Sequence, residues 1–244
     1  MIDDILLATM IKLIIKKLLR LFLFFSIGIV SSNLLYGQGK VLYVSKNGND
    51  NNVGTISEPL LKISTAALKA VSGDTIKVFP GTYIDEAGFN GKAVSIISIK
   101  GADSTTLQGV SLSNFILSYG NTAIGTDSTE VIISGFTFRL GLAGLANNNS
   151  TRLKVTNCKF YDNYLGTITE GPATFLNCIF NNNSYTFLME YQPASANGYA
   201  QVFINCTFYK NSNFLERGQE GPVGSRRPQF LNCIIYIIHR FFMS

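Results

Sequence analysis

The 244-residue chain contains no tryptophan and one histidine, His239. The first absence removes the largest aromatic platform for a sugar ring. The second leaves histidine chemistry to one residue in the anomalous tail 237–244, which nearly excludes it. Cysteine is scarce as well: four residues, no two of them close together, whereas a zinc site needs Cys or His pairs at short spacing. Charged residues make up 14% of the chain, and its formal net charge of +5 is not gathered into a Lys/Arg stripe with interleaved aromatics, so no nucleic-acid partner is expected. There is no phosphate loop. No helical period survives beyond residue 72, which excludes leucine-rich and α-solenoid repeats, and no blade-length period of about 40 residues marks a propeller.

What is present is one phrase written four times. Thr156-Asn157-Cys158-Lys159-Phe160, Leu176-Asn177-Cys178-Ile179-Phe180, Ile204-Asn205-Cys206-Thr207-Phe208 and Leu231-Asn232-Cys233-Ile234-Ile235 recur at cysteine steps of 20, 28 and 27 residues. Asn114-Phe115 and Gly135-Phe136 extend the register backwards with Phe in the Cys slot, at steps of 21 and 22. Twenty residues suffice for one trip around a three-sided coil whose strands pair in parallel with their equivalents above and below. Within a repeat the pattern reads as a strand over 153–160, a turn at 161–163, a strand over 165–169 and a turn at 170–172.

Equivalent inward positions should then stack. Phe115, Phe136, Cys158, Cys178, Cys206 and Cys233 are expected in one column, and Phe138, Phe160, Phe180 and Phe208 in another. Asn114, Asn157, Asn177, Asn205 and Asn232 would form an asparagine ladder at a bend. Four cysteines in an exported protein would ordinarily suggest two disulfides. Stacked neighbours about 4.8 Å apart have parallel Cα–Cβ vectors, however, so buried free thiols are expected.

The amino terminus reads as a secretory signal over residues 1–37, starting at Met1 or at Met10. Lys12, Lys16, Lys17 and Arg20 precede the apolar run 21–30, and small and polar residues lead to Leu35-Tyr36-Gly37. Asp3 and Asp4 are out of place in a basic leader, which favours Met10. A retained membrane anchor is the competing reading, but the uncharged run from Arg20 to Lys40 is barely long enough and is broken by Ser31, Ser32 and Asn33. Cleavage after Gly37 leaves 16 basic against 13 acidic residues, net +3.

Residues 38–91 read as a capping segment. Val41-Leu42-Tyr43-Val44 is a strand, 47–55 a Gly- and Asn-rich loop, and about 59–71 an amphipathic helix with Pro59 in its first turn and Ser72-Gly73-Asp74 closing it. Such a helix can cover the open end of a β-coil. Coils are expected over 92–236. The tail 237–244 supplies no Asn or Gly turn and reads as truncated or frame-shifted, which would leave a sheet edge prone to association.

Tyr43-Val44-Ser45-Lys46-Asn47-Gly48-Asn49-Asp50, Gly54-Thr55, Glu58-Pro59, Ala66-Ala67, Ser72-Gly73-Asp74-Thr75-Ile76 and Pro80-Gly81-Thr82-Tyr83 resemble the opening module of secreted β-helix proteins of the pectin-lyase-like superfamily. The Asn-Cys-x-Phe copies resemble the later coils of those proteins, and the likeness spans residues 41 to 236. It implies an all-β, right-handed parallel β-helix with an N-terminal capping α-helix. It implies little about activity, since that superfamily includes lyases, hydrolases, epimerases, glycan binders and adhesins.

The steps of 28 and 27 place insertions at one point of successive coils, over 190–200 and 217–228. In solenoids such an edge is often the binding face. Tyr191 and Tyr199 could stack on sugars, and Arg217, Arg226 and Arg227 could grip carboxylates; long solvated loops are the plain alternative. Glu170, Glu190 and Glu216, each ten or twelve residues after a cysteine, could hold Ca²⁺ as pectate lyases do, with Arg217 or Lys210 abstracting a proton. Asp162 stands alone on its face, replaced by Asn182 and Lys210 in later copies, so no paired-acid hydrolase site is visible. Two readings stay open: a secreted or cell-surface β-helix that binds or processes a polysaccharide or cell-surface glycan, with no membrane span after signal cleavage, and a non-catalytic adhesin-type spacer.

Overall fold

The computed structural model describes residues 15–17, 39–119, 130–147, 151–169, 171–189, 201–217 and 228–237, with backbone alone at 187–189, 214–217 and 237. Contacts divide the chain into Met1–Gln38, in which 15–17 form a helical turn, and Gly39–Ser244. No helix of the described residues is long and apolar enough to cross a membrane.

The second unit opens with β1 (Val41–Val44) and helix α1 (Ile63–Lys69), and then winds into three-stranded coils. These are β2 (Thr75–Val78), β3 (Gly81–Ile84) and β4 (Ala87–Gly88); β5 (Ser95–Ser98), β6 (Thr105–Gln108) and β7 (Phe115–Ser118); β8 (Glu130–Ser134), β9 (Thr137–Arg139) and β10 (Ala143–Asn147). The next are β11 (Arg152–Thr156), β12 (Lys159–Tyr161) and β13 (Leu165–Thr169); β14 (Ala173–Leu176), β15 (Ile179–Asn181) and β16 (Tyr185–Met189); β17 (Gln201–Ile204), β18 (Thr207–Asn211) and β19 (Asn213–Arg217). The described residues end on β20 (Gln229–Leu231) and β21 (Ile234–Ile237).

First, second and third strands of each coil stack into sheets A, B and C, and β1 heads sheet A. All described pairings are parallel, from Val155 opposite Phe175 to Phe180 opposite Phe208. Parallel crossovers of this kind wind right-handed, and the molecule is a right-handed parallel β-helix with a capping helix.

Asparagine makes the corners. Asn157, Asn177, Asn205 and Asn232 turn from sheet A to sheet B at φ of 53, 54, 52 and 51°, with Gly135 at 77° in the same slot. Asn tolerates this left-handed region because its short amide bonds locally. The span read as one strand over 153–160 is therefore bent into β11 and β12. The four side chains form the expected ladder, Asn177 Nδ2 to Asn157 Oδ1 at 3.3 Å, Asn205 to Asn177 at 3.3 Å and Asn232 to Asn205 at 2.7 Å, on the outside of the bend.

A second ladder, which the repeat pattern hid inside a turn, lies at the corner from B to C. There Asp162, Asn182 and Lys210 are left-handed, and each hands on to a buried asparagine, Asn163, Asn183 and Asn211. Asn183 Nδ2 donates to Asn211 Oδ1 and to Phe160 O, both at 2.9 Å. These bonds pair backbone groups that the bend removes from the sheets.

The interior columns follow the register. Phe138, Phe160, Phe180 and Phe208 stack at centroid separations of 5.0, 4.7 and 5.0 Å. Phe175, Phe203 and Phe230 form a further stack on sheet A at 4.8 and 5.1 Å. Gly144 has no room for a side chain: a Cβ there would lie 2.8 Å from the Phe160 ring. All four cysteines are free thiols, Cys233 half-buried and the others buried. Burial pushes the Cys158 thiol up to about 12 and Cys178 well above its ordinary value, while the Cys178 thiol donates to Cys206 and draws that one down.

The backward extension of the register fails at one rung. Phe115 opens β7 in sheet C, opposite Ala143, and does not join the cysteine column. Asn114 bonds Glu86 Oε2 at 2.8 Å and stands outside the asparagine ladder. The corresponding A-to-B corner lies at Gly101, φ 85°, so residues 109–114 had shifted the count.

Helix α1 is shorter than the expected 59–71. Leu60 is held extended as a bridge partner of Val44, so Pro59 precedes the helix. Asp50 Oδ1 accepts from Leu61 N at 3.1 Å and Lys62 N at 2.9 Å, and Asp85 Oδ2 from Ser64 N at 2.8 Å. At the other end Lys92 Nζ donates to Ala67 O at 2.6 Å and Ala70 O at 2.9 Å, where a cation suits the dipole. The helix buries Ile63, Ala66 and Ala67 against the first coil. That coil begins at Thr75, inside the segment assigned to the cap.

Candidate functional site

The two insertions fall where expected, between β16 and β17 and between β19 and β20, at the corner from sheet C to sheet A. Glu170, Glu190, Tyr191, Tyr199, Arg226 and Arg227 lie outside the described residues. Backbone register locates the remaining candidates. Glu216 pairs with Leu188, which pairs with Ile168, while Arg217 pairs with Met189. Arg217 stands in the row of Asn147 and Thr169, both buried. Lys210 is at the B-to-C corner, separated from Arg217 by the length of β19, and the two do not share a site. Among the described residues no cluster of three His, Cys, Asp or Glu could hold a metal ion.

The three outer faces differ. On sheet C, Ala143, Ala146, Leu165 and Ile168 form a small apolar cluster that is buried. On sheet A the charges pair locally, Lys154 Nζ with Glu130 Oε1 at 3.6 Å. Sheet B presents a polar and aromatic column, half-buried at Arg139, Tyr161 and Asn181 and exposed at Tyr209 and Tyr236. Arg139 lies opposite Tyr161, Tyr161 opposite Asn181, Asn181 opposite Tyr209, and Tyr209 opposite Tyr236.

Alternation along β9, β12, β15, β18 and β21 turns these residues outward, because Phe138, Phe160, Phe180 and Phe208 beside them point in. Tyr209 and Tyr236 are 41% and 56% exposed, and their rings stack at 5.3 Å. Lys210 Nζ sits 5.0 Å over the Tyr209 ring. Along the neighbouring corner Asn182 Nδ2 donates to Asp162 Oδ1 at 2.7 Å, and the Arg139 guanidinium lies 4.0 Å from Asp162 Oδ2. Asp162, Asn182 and Lys210 do occupy equivalent places, as the repeat implied.

From Arg139 to Tyr236 the column takes four inter-strand steps, about 19 Å. Among the described side chains, these acids are engaged in local structure. Asp85 and Glu86 accept backbone N–H groups, Asp103 pairs with Lys159, Glu130 with Lys154, and Asp162 with Asn182. The composition could not reveal the column, because its members are spaced 22, 20, 28 and 27 residues apart. The register that would have found it was already written in the Cys phrase, three residues downstream of each Cys.

A parallel β-helix with a polar and aromatic column on sheet B is therefore what the fold and surface define. The chain is similar to the protein described as "Uncharacterized protein YwoF" of Bacillus subtilis (strain 168), 31% identical over 109 residues, which is 42% of this chain and 23% of that protein. It thus spans less than a quarter of that relative's length. No family model matches. Among solved structures, pectin methylesterase from carrot has a TM-score of 0.47 at 13% identity over 70% of this chain and 63% of that one. A rhamnogalacturonan lyase has 0.37 at 14% over 80% and 56%. Pectin methylesterase from Aspergillus niger has 0.45 at 10% over 82% and 81%. The likeness is one of backbone path and assigns no activity.

Proposed function

We propose that this chain is an exported β-helix protein that binds an extracellular polysaccharide laid parallel to the coil axis. The observation that carries this reading is the outward column Arg139, Tyr161, Asn181, Tyr209 and Tyr236. Tyrosine faces offer sugars an apolar platform with a polar rim, at little entropy cost to a two-torsion side chain. Arg139 and Lys210 suit the carboxylates of an acidic chain. The basic, apolar and small-residue order of residues 12–37 supports export. Binding without cleavage fits the described carboxylates, which serve local pairs and backbone N–H groups. Tyr191, Tyr199, Arg217, Arg226 and Arg227, carried by the two insertions in the sequence, are the competing set.

Affinity electrophoresis in gels containing polygalacturonate or a neutral glucan tests the reading. Retardation by one of them that weakens about tenfold in Tyr161→Ala/Tyr209→Ala, as expected when stacking anchors are lost, supports the column. Loss in Tyr191→Ala/Arg217→Ala alone moves the site to the loop edge. Absence of retardation by any extended glycan overturns the function and leaves the structural spacer.

A further inference from the structure

The four cysteines are the metal-binding groups that the sheet B column leaves unused. They stand 20, 28 and 27 residues apart in the chain, yet in the fold they become immediate neighbours. Ile179 N donates to Cys158 O at 3.0 Å, Thr207 N to Cys178 O at 2.9 Å and Ile234 N to Cys206 O at 2.9 Å, so each cysteine backbone is one parallel step from the next. The sulfurs keep the same place in every coil. Cys178, Cys206 and Cys233 Sγ lie 3.5, 3.3 and 3.4 Å from the carbonyl oxygen two residues back, and 3.6, 3.5 and 3.4 Å from the carbonyl oxygens of Val155, Phe175 and Phe203 in the preceding coil. Successive sulfurs are therefore about 4.8 Å apart, the strand spacing, and their C–S bonds run side by side. The thiols of Cys178 and Cys233 each hydrogen-bond the Cys206 sulfur between them.

We propose that Cys206 and Cys233 bind one soft monovalent cation of the Cu⁺ class, held linearly between the two sulfurs at the last described coil. A disulfide needs its sulfurs about 2.05 Å apart, far closer than the stacking allows. A metal–thiolate bond is about 2.3 Å long, and two of them end to end span about 4.6 Å, close to the gap that the stacking leaves. An ion on that line meets each C–S bond at close to a right angle, where a sulfur lone pair lies. The number of ligands selects the ion. Among the described residues no third His, Cys, Asp or Glu completes a cluster with these sulfurs, whereas zinc wants four ligands and calcium a shell of oxygens. Two soft thiolates suit Cu⁺. Loading breaks both S–H bonds, forms two S–Cu bonds and releases both protons to solvent, and no electron is transferred. Cys233 is half-buried while Cys158 and Cys178 are buried, so this is the pair an incoming ion can reach, and the negative charge left on the bis-thiolate stays near water.

Transfer of Cu⁺ from its coloured bicinchoninate complex to the reduced full chain, under nitrogen, tests the site. The expected result is withdrawal of one equivalent, with an affinity lowered about tenfold or more by Cys206→Ala and by Cys233→Ala and unchanged by Cys158→Ala. X-ray absorption of the loaded wild-type chain should show sulfur neighbours alone, a measurement that stays available if the variants do not fold. Absence of transfer, transfer that persists in Cys206→Ala, or a copper spectrum with nitrogen or oxygen neighbours overturns the proposal.

Discussion

Asn163 gives both its backbone N–H and its side-chain amide to a single atom, Asn183 Oδ1, each at 3.1 Å. Asn183 repeats the gesture towards Asn211 at 3.0 and 2.9 Å. One carbonyl thus serves two buried donors of the coil below, and its removal strands both. Asn183→Ala is expected to lower the unfolding free energy by about 3 kcal/mol, since each buried unpaired group costs roughly 1–3 kcal/mol. Denaturant titration at constant m-value measures it. The outer ladder should behave differently: Asn177→Gly keeps φ of 54° without strain and should change stability by less than about 0.5 kcal/mol, whereas Asn177→Val should cost about 1–2 kcal/mol.

Phe180 joins the two ring columns of the core. It stacks on Phe160 at 4.7 Å and Phe208 at 5.0 Å, and meets Phe175 edge-on at 5.7 Å. Phe180→Ala leaves a cavity that neighbours held by parallel pairing cannot close, and should cost about 3–5 kcal/mol. Equilibrium unfolding followed by far-UV circular dichroism provides the value, and a loss below about 1 kcal/mol would contradict the packing described.

Alkaline pH should destabilise the protein. The Cys158 thiol moves from 9.0 to about 12 on folding, and Tyr83 from 10.0 to about 12, both chiefly by burial. Cys178 and Tyr119 move in the same direction. The folded state therefore holds these protons more tightly. The stability they contribute is complete below pH about 9 and drains away as pH climbs towards 12. Cys233 also moves up, and Cys206 works in the opposite sense, one group against five. Urea midpoints should stay level from pH 7 to about 9 and then fall; a rise across pH 9–11 would show that the buried groups are not as placed. Under native conditions iodoacetamide should reach half-buried Cys233 first and Cys158 last.

Asp50 holds the start of α1 from a loop eleven residues upstream. Asp50→Ala should cost about 1–2 kcal/mol and raise amide exchange at Leu61 and Lys62, while exchange in β11 to β18 stays unchanged. Uniform acceleration across all strands would mean that the cap and the coils do not open separately.

Residues with one structural meaning were the legible ones. The Asn-Cys-x-Phe phrase located a corner, a thiol column and a phenylalanine column, because every copy obeys the same steric demand. Asn163, Asn183 and Asn211 escaped notice because turn residues and buried ladder residues share one amino acid, and only backbone direction separates them. Phe115 misled because an aromatic in the right count can sit on the wrong sheet when a loop of unknown length intervenes. Glu216 carries no such ambiguity: it lies ten residues after Cys206 as Leu188 lies ten after Cys178, and the two are paired. The sheet B column was within reach through Tyr161 and Tyr209, each three residues past its cysteine, but outward residues carry no hydrophobic signature.

From β8 onward two of the three bends in each turn are closed by a left-handed residue and one or two neighbours. In those turns length varies at the remaining bend, where 3-residue and 11-residue connections coexist around the same ring stacks. Evolution can lengthen one rim of such a rod while its bore and its opposite wall stay unchanged.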